Sequence, residues 1–406
     1  MELRSMKRLA RTLTVVSAVL PLLLLSAISV KGAEPGTGDP VMLGVIHNEK
    51  FPFAEMMRNS YDMALEAINT QGGINGRPLS LVYADDQGKA KAGERATKEL
   101  KQKGAVMLLG GYSSSNTVYT AGMAQKLDIP FLVITAADDR ITQRGWENIF
   151  RLNPPASRYT NSLEDFFNRQ IRPGSMSIVY ENSPYGTDGA LRMMWFCREN
   201  GIEIKKIIPY HKERTDSKYM QRILSPLKDE NPDVIYMVSY LKDALALVKE
   251  IRALGINSLL AGGAGGFTHP DFAAKGGAAA DRTITATLWY QEIPYPGTRE
   301  YFEKYKEKYG SNPDYHGAEA YSGLVVAADA LTRASRLDPD GIRRALGDTN
   351  LSTPFGPVRF GSFDKYERQN TLPTQVLQIV EGGFEIVWPA DLATSPFLPP
   401  PGWKSP

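Results

Sequence analysis

Residues 110–142 read GGYSSSNTVYTAGMAQKLDIPFLVITAADDRIT, and this stretch decides the fold. An apolar run at 105–109 predicts a strand, and two glycines follow it. Three serines then open a helical stretch. A second apolar run, at 129–134, ends in the small residues Thr135, Ala136 and Ala137. Strand, glycine turn, helix and strand make a βαβ unit, the building block of a parallel sheet. A glycine turn into a helix leaves free N–H groups and hydroxyls at the helix N-terminus, a ready place for an anionic or polar group. Ser114 falls at or next to the N-cap, where serine is favoured. Two readings of Ser114 therefore stand: a plain helix cap, or a ligand contact.

The alternation continues in both directions. Strand-like runs at 41–45, 175–180, 203–208 and 234–238 precede helical runs at 54–69, 185–200, 218–230 and 243–254. One set lies before about Pro155 and one after it, which predicts an α/β protein of two doubly wound parallel-sheet lobes. Ligands of such sheets bind outside the carboxyl ends of the strands, so the loops after Leu109, Ile134, Tyr180, Val238 and Ala261 are where function is expected. Beyond Ala286 the pattern changes to two long helices, at 298–309 and 316–334, and a short FGPVRF segment at 355–360. Residues 375–380 and 384–388 predict a β-hairpin around Gly382-Gly383. The tail from 391 to 406 is proline-rich and predicted to be irregular.

Composition bounds the class. The chain has 406 residues, 42% hydrophobic and 23% charged, long enough for two domains. A net charge of +2 gives no reason to expect nucleic acid or an anionic membrane as partner. Four His and one Cys exclude a Cys-rich metal scaffold and an intramolecular disulfide. Cys197, in a predicted helix, reads as a buried thiol. Residues 1–33 read as a signal peptide: Arg4, Lys7, Arg8 and Arg11 form a basic region, 12–30 is apolar and uncharged, and small residues end at Ala33. An uncleaved N-terminal anchor is the alternative, because the apolar run is long.

Constellations for enzyme chemistry are nearly absent. Residues 262–266, GGAGG, lack the G-K-[ST] of a phosphate loop, and no G-x-S-x-G elbow is present. The four His lack metal-ligand spacing, and His47 and His269 read as solvated loop residues. Asp85 and Asp86 point to opposite faces of a strand and read as turn and surface charge. The segment from Asp138 through Asp139 to Arg140 reads as an ion pair on the lobe surface. No cofactor is expected.

The stretch at 110–142 also resembles, without a gap, the ligand loop of the leucine/isoleucine/valine-binding proteins. These are periplasmic solute receptors of ABC transporters with the type I periplasmic binding-protein fold. QGGINGRPLSLVYADDQG at 71–88, NSPYG at 182–186, NPDVIYMVSYLKDALALVKEIRALG at 231–255 and HGAEAYSGLVVAADALTRA at 316–334 extend the resemblance from about residue 41 to 389. It implies two lobes joined by a three-segment hinge, with crossings near Pro155, Ala286 and Gly361. Lobe one would comprise 41–156 and 287–360, and lobe two 157–286 and 361–390. It further implies a monomer in the periplasm that traps a small molecule and presents it to an inner-membrane ABC permease, without turnover. A periplasmic ligand sensor for a membrane signalling partner is the alternative, and an exported hydrolase a third reading.

Carried over residue by residue, the resemblance puts the ligand carboxylate on Ser114 and on the loop of Thr135, Ala136 and Ala137. Tyr185 and Tyr240 would close from the second lobe. Two departures follow. The acid usual for a ligand ammonium falls on Ala264, and the loop's closing threonine falls on Ala137. The first loop, HNEKFPFAEMM at 47–57, brings Phe51, Phe53 and Met56 to the wall. A buried ammonium without a carboxylate is costly. Aromatic or branched carboxylates or related neutral molecules are therefore expected over leucine or valine, unless Glu49 or Glu319 replaces the missing charge.

Overall fold

The structure is a computed structural model and describes residues 38–212 and 214–403. The signal peptide expected at residues 1–33 lies outside the described residues. Ten strands come first: β1 Val41–His47, β2 Leu79–Asp85, β3 Met107–Gly110, β4 Phe131–Val133, β5 Ile149–Arg151, β6 Ser175–Glu181, β7 Glu203–Tyr210, β8 Val234–Val238, β9 Leu259–Gly262 and β10 Ile284–Thr287. Six more follow: β11 Leu351–Thr353, β12 Gly356–Val358, β13 Gly361–Phe363, β14 Tyr366–Gln369, β15 Gln375–Val380 and β16 Gly383–Trp388. They form two seven-stranded sheets, ordered β13-β14-β5-β4-β3-β1-β2 and β16-β15-β10-β9-β8-β6-β7, plus the two-stranded β11-β12 ladder. Strands β1 to β5 and β6 to β10 pair parallel with their neighbours, as in Gly44↔Leu108 and Leu109↔Leu132, while β15 is antiparallel to both β10 and β16.

Each sheet is covered on both faces, which is why its central strands read as unbroken apolar runs. In the first, Leu43, Met107 and Leu109 pack with Tyr61, Ala64, Leu324 and Ala327 of the Ala54–Thr70 and Tyr315–Arg333 helices. On the other face Ile46, Leu108 and Phe131 pack with Ala96, Leu100, Val118 and Ala121. The second sheet sets Ile178 and Tyr236 against Met193, Phe196 and the buried Cys197. Its other face sets Val179, Ile235 and Met237 against Leu247 and Ile251.

Most predicted elements appear within a residue or two of their expected ends, including the β15–β16 hairpin. Two differ. The helix expected at 218–230 breaks at Ser225 into Ser217–Leu224 and Pro226–Glu230, with Pro226 in the first turn, where a proline is tolerated. The third crossing does not fall near Gly361. The strands β13 and β14 join the first sheet, β14 lying parallel to β5 at Gln369↔Arg151, so the chain leaves that sheet only between Gln369 and Gln375. Strands this short and this exposed carry too few residues for a periodicity to show.

The first and third crossings are strapped together. Gln369 Nε2 donates to the Asn153 carbonyl at 2.8 Å, and Asn370 Nδ2 donates to the Leu152 carbonyl at 3.1 Å. The described lobes are closed on each other. Tyr112 of the first lies 6.1 Å, ring to ring, from Tyr240 of the second.

Candidate functional site

The candidate residues lie at the carboxyl ends of the strands. β3 ends at Gly110, whose φ is 109°, and a Cβ there would overlap the Ile46 carbonyl. Only glycine fits this turn. It releases the chain into the Ser114–Lys126 helix, whose N-cap is Ser113. Ser114 is thus the first helical residue and not the cap. Its Oγ accepts the N–H groups of Ala137 and Asp138, both at 3.1 Å. Ala136 donates its N–H to the Gly111 carbonyl at 2.9 Å, and Thr135 Oγ1 donates to the same carbonyl at 3.2 Å. Ser114 and the Thr135–Ala136–Ala137 loop are therefore one unit, the hydroxyl pinning the loop to the helix. The amides of Ser114 and Ser115 have no acceptor among the described residues. With the hydroxyl proton of Ser114, they are the donors free for an anion at a helix N-terminus.

Beneath the loop lies a residue the sequence reading missed. Arg151, at the end of β5, is fully buried. Its guanidinium donates to the Asp138 carbonyl at 2.6 Å, to Gln369 Oε1 at 2.6 Å, to Thr142 Oγ1 at 2.9 Å and to the Ala136 carbonyl at 3.5 Å. All four acceptors are neutral, so a positive charge stands under the loop, compensated only from a distance by Asp138 and Asp139. The signal was available: a lone arginine in the apolar run Ile149–Leu152 must be paired if it is a strand residue.

The cleft wall is aromatic. Phe53 stacks on His316 at 3.7 Å and meets His269 of the second lobe at 4.8 Å. Phe51 lies 4.4 Å from Tyr112. Tyr185 and Tyr240 are 5.4 Å apart, and Tyr159 approaches Tyr185 at 6.3 Å. Burial raises the hydroxyl pKa values of Tyr112, Tyr159, Tyr185, Tyr240 and Tyr315, so all stay neutral donors. Tyr112 and Tyr240 are half-buried. A groove of about 610 Å³ beside Arg252 and Asn257 is lined by none of these aromatic residues.

The structure brings Phe53, Tyr185, Tyr240, Ser114 and the Thr135 loop to this cleft. Met56 sits at its edge, where its sulfur accepts the Asp314 N–H at 3.3 Å. Ala264 is fully buried, at φ 61°, in the loop that Tyr185 holds through its hydroxyl on the Gly263 carbonyl at 2.9 Å. The glycines there serve close packing: a Cβ on Gly266 would overlap the Leu241 nitrogen.

Four readings are corrected. His47 and His269 are buried, not solvated; His269 caps a helix by accepting the Asp271 N–H at 2.9 Å. Asp86 is buried too and holds Asn48 Nδ2 at 3.1 Å and the Gly88 N–H at 2.9 Å, while Asp85 stays exposed. The Asp138–Arg140 pair forms at 2.5 Å, but Asp138 is wholly buried. Glu49 is exposed against Arg58 and cannot serve the interior. Glu319, in contrast, is fully buried.

No group of three or more His, Cys, Asp or Glu among the described residues could hold a metal. None of the described helices is long and apolar enough to cross a membrane. The Ser114 Oγ has two amides and no imidazole within hydrogen-bond distance among the described residues, so it lacks the base a nucleophilic serine needs.

Comparison with known proteins shows the family and the fold. A family model described as periplasmic binding protein matches residues 48–383. The Leu/Ile/Val-binding protein homolog 7 of Brucella melitensis is 26% identical over 383 residues, 90% of this chain and 95% of that one. The branched-chain amino acid transporter substrate binding protein LivJ of Streptococcus pneumoniae, in complex with isoleucine, has the same fold. Its TM-score is 0.77 at 20% identity, covering 86% of this chain and all of that one. A solute binding protein of an ABC transporter from R. palustris, in complex with benzoate, gives 0.74 at 17% identity over 86% and 95%.

Proposed function

The chain belongs to the periplasmic binding protein family, and from that premise we propose that it is the extracytoplasmic receptor of an ABC importer, binding one small carboxylate-like or amino-acid-like solute between its lobes. The observation that carries this reading is the unit of Ser114 and the Thr135 loop. Helix-end amides and a serine hydroxyl are aimed at the cleft, with the Arg151 charge behind them and rings from both lobes around them. Such a site orients a carboxylate by charge-assisted hydrogen bonds and gains affinity from apolar area closed over the rest of the ligand. Closure about the strapped crossings traps the solute and creates the surface a permease reads. The similar structures hold isoleucine and benzoate, which share a carboxylate and an apolar body.

The test is identification by mass spectrometry of whatever copurifies, followed by calorimetry with amino acids, benzoates and branched oxo-acids. A carboxylate that binds at micromolar or tighter, without being consumed, is expected. Turnover of an amide or ester, or no binding across the panel, overturns the reading.

A further inference from the structure

Glu319 lies one helical turn from the cleft wall. Tyr315 and His316, just before it on the same helix, stack at 3.9 Å, and His316 stacks in turn on Phe53. Gly323, one turn further on the same face, presses on Ile134 and Leu152. Glu319 therefore sits about one turn, roughly 5–6 Å, beneath the aromatic wall, level with the strand ends that carry Thr135 and Asn153. Its charge acts on the hydroxyls of Tyr61, Tyr159 and Tyr315.

Both Glu319 oxygens are buried and neither has a hydrogen-bond partner among the described residues. The same holds for Asn153 Oδ1 and the Tyr61 hydroxyl. Asn153 belongs to the ligand loop's own support, since its Nδ2 donates to the Thr135 carbonyl at 2.6 Å and to the Tyr159 hydroxyl at 2.5 Å. A buried polar group left unpaired costs about 1–3 kcal/mol, and native proteins keep few of them. Here three of the four orphaned atoms are acceptors, and the charged residue that acts on Glu319 is the acid Asp314. The set lacks a cationic donor.

We propose that Glu319 is the specificity-determining carboxylate of the ligand site, receiving a protonated amine of the solute together with Asn153 Oδ1. This rests on the receptor reading above and restores to the site the charge that Ala264 does not supply. It reverses the expectation of an amine-free ligand. In the ligand-free protein, burial and then Asp314 hold the Glu319 carboxyl well above the usual carboxylate range, which disfavours its ionised form. Pairing with an ammonium favours the ionised form, and the proton leaves to solvent. The titratable groups that face it are Tyr61 on the Ala54–Thr70 helix, Tyr159 in the first crossing, and Tyr315 and Asp314 at the start of its own helix. The tyrosines stay neutral; Asp314 has His316 Nδ1 as a partner at 3.1 Å, whereas neither Glu319 oxygen has one among the described residues.

Calorimetry of the wild-type protein with isoleucine, phenylalanine and benzoate, each in phosphate and in Tris, tests this. An amino acid that binds is expected to release close to one proton, seen as a buffer-dependent enthalpy, while benzoate releases none. Glu319→Gln is expected to weaken amino-acid binding at least tenfold and to leave benzoate within twofold. Should that variant fail to fold, the wild-type buffer comparison decides alone. Amino-acid binding without proton release, or equal losses for amino acid and benzoate, overturns the inference. Binding of benzoate but of no amine also overturns it and leaves the receptor reading intact. No binding by any solute removes both.

Discussion

Asp139 of the first lobe donates its backbone N–H to Asp188 Oδ2 of the second, 3.3 Å away, so closure brings two carboxylates together. Burial first, and then the Asp139 charge, push the Asp188 carboxyl from 3.8 up to about 6. An open form that returns Asp188 to water returns it to its ordinary value. The closed form therefore binds the proton more tightly. Closure is favoured most at low pH, and that advantage is lost as pH rises through the window from about 4 to 6. Small-angle scattering of ligand-free protein is expected to give a smaller radius of gyration at pH 5 than at pH 7.5. Asp188→Asn should keep the compact form at both. A wild-type radius that ignores pH would refute the latch.

Ser114→Ala removes the acceptor of two buried N–H groups and is expected to cost stability as well as affinity. Leaving each amide unpaired costs about 1–3 kcal/mol, and ligand affinity should fall tenfold or more. Chemical denaturation and calorimetry on the same samples check this. An unchanged midpoint would mean that water replaces the hydroxyl and that the loop does not depend on Ser114.

Arg151→Met takes a charged donor from the Asp138 carbonyl and from Gln369 Oε1, which keep only the Ile141 N–H and the Thr142 hydroxyl, and withdraws the charge under the ligand loop. Hydrogen bonds to a charged group are worth about 1.5–3 kcal/mol each, so a loss of several kcal/mol is expected. Arg151→Lys should recover little, since an ammonium cannot reproduce the planar fork. A lysine variant with wild-type stability would show that the charge alone suffices.

Export is checked separately. If residues 1–33 are a cleaved leader, the N-terminus of periplasmic protein is expected near Ala33 or Glu34. Full-length, membrane-retained protein would establish the anchor instead.

Both sheets, and the loops at their carboxyl ends, were legible because buried parallel strands must be apolar throughout. Runs such as Val234–Val238 announce themselves without context. The edge of the first sheet was not. The strands β13 and β14 are three and four residues long and partly exposed, and only their pairing with each other and the pairing of β14 with β5 make them strands.

At the site, the sequence determined which residue types meet: hydroxyls and glycines at the end of β3, small residues after β4, and tyrosines from the second lobe. It could not determine which polar atoms would be left unpaired, because that depends on partners far apart in the chain. Ser114 is bonded to a loop 23 residues on, and Arg151 to Gln369, 218 residues on. Glu319 reads as one more polar residue on a helix. Only the packing of the Tyr315–Arg333 helix against Ile134 and Leu152 buries it without a partner, since burial and solvation are properties of the assembled lobe and not of the residue.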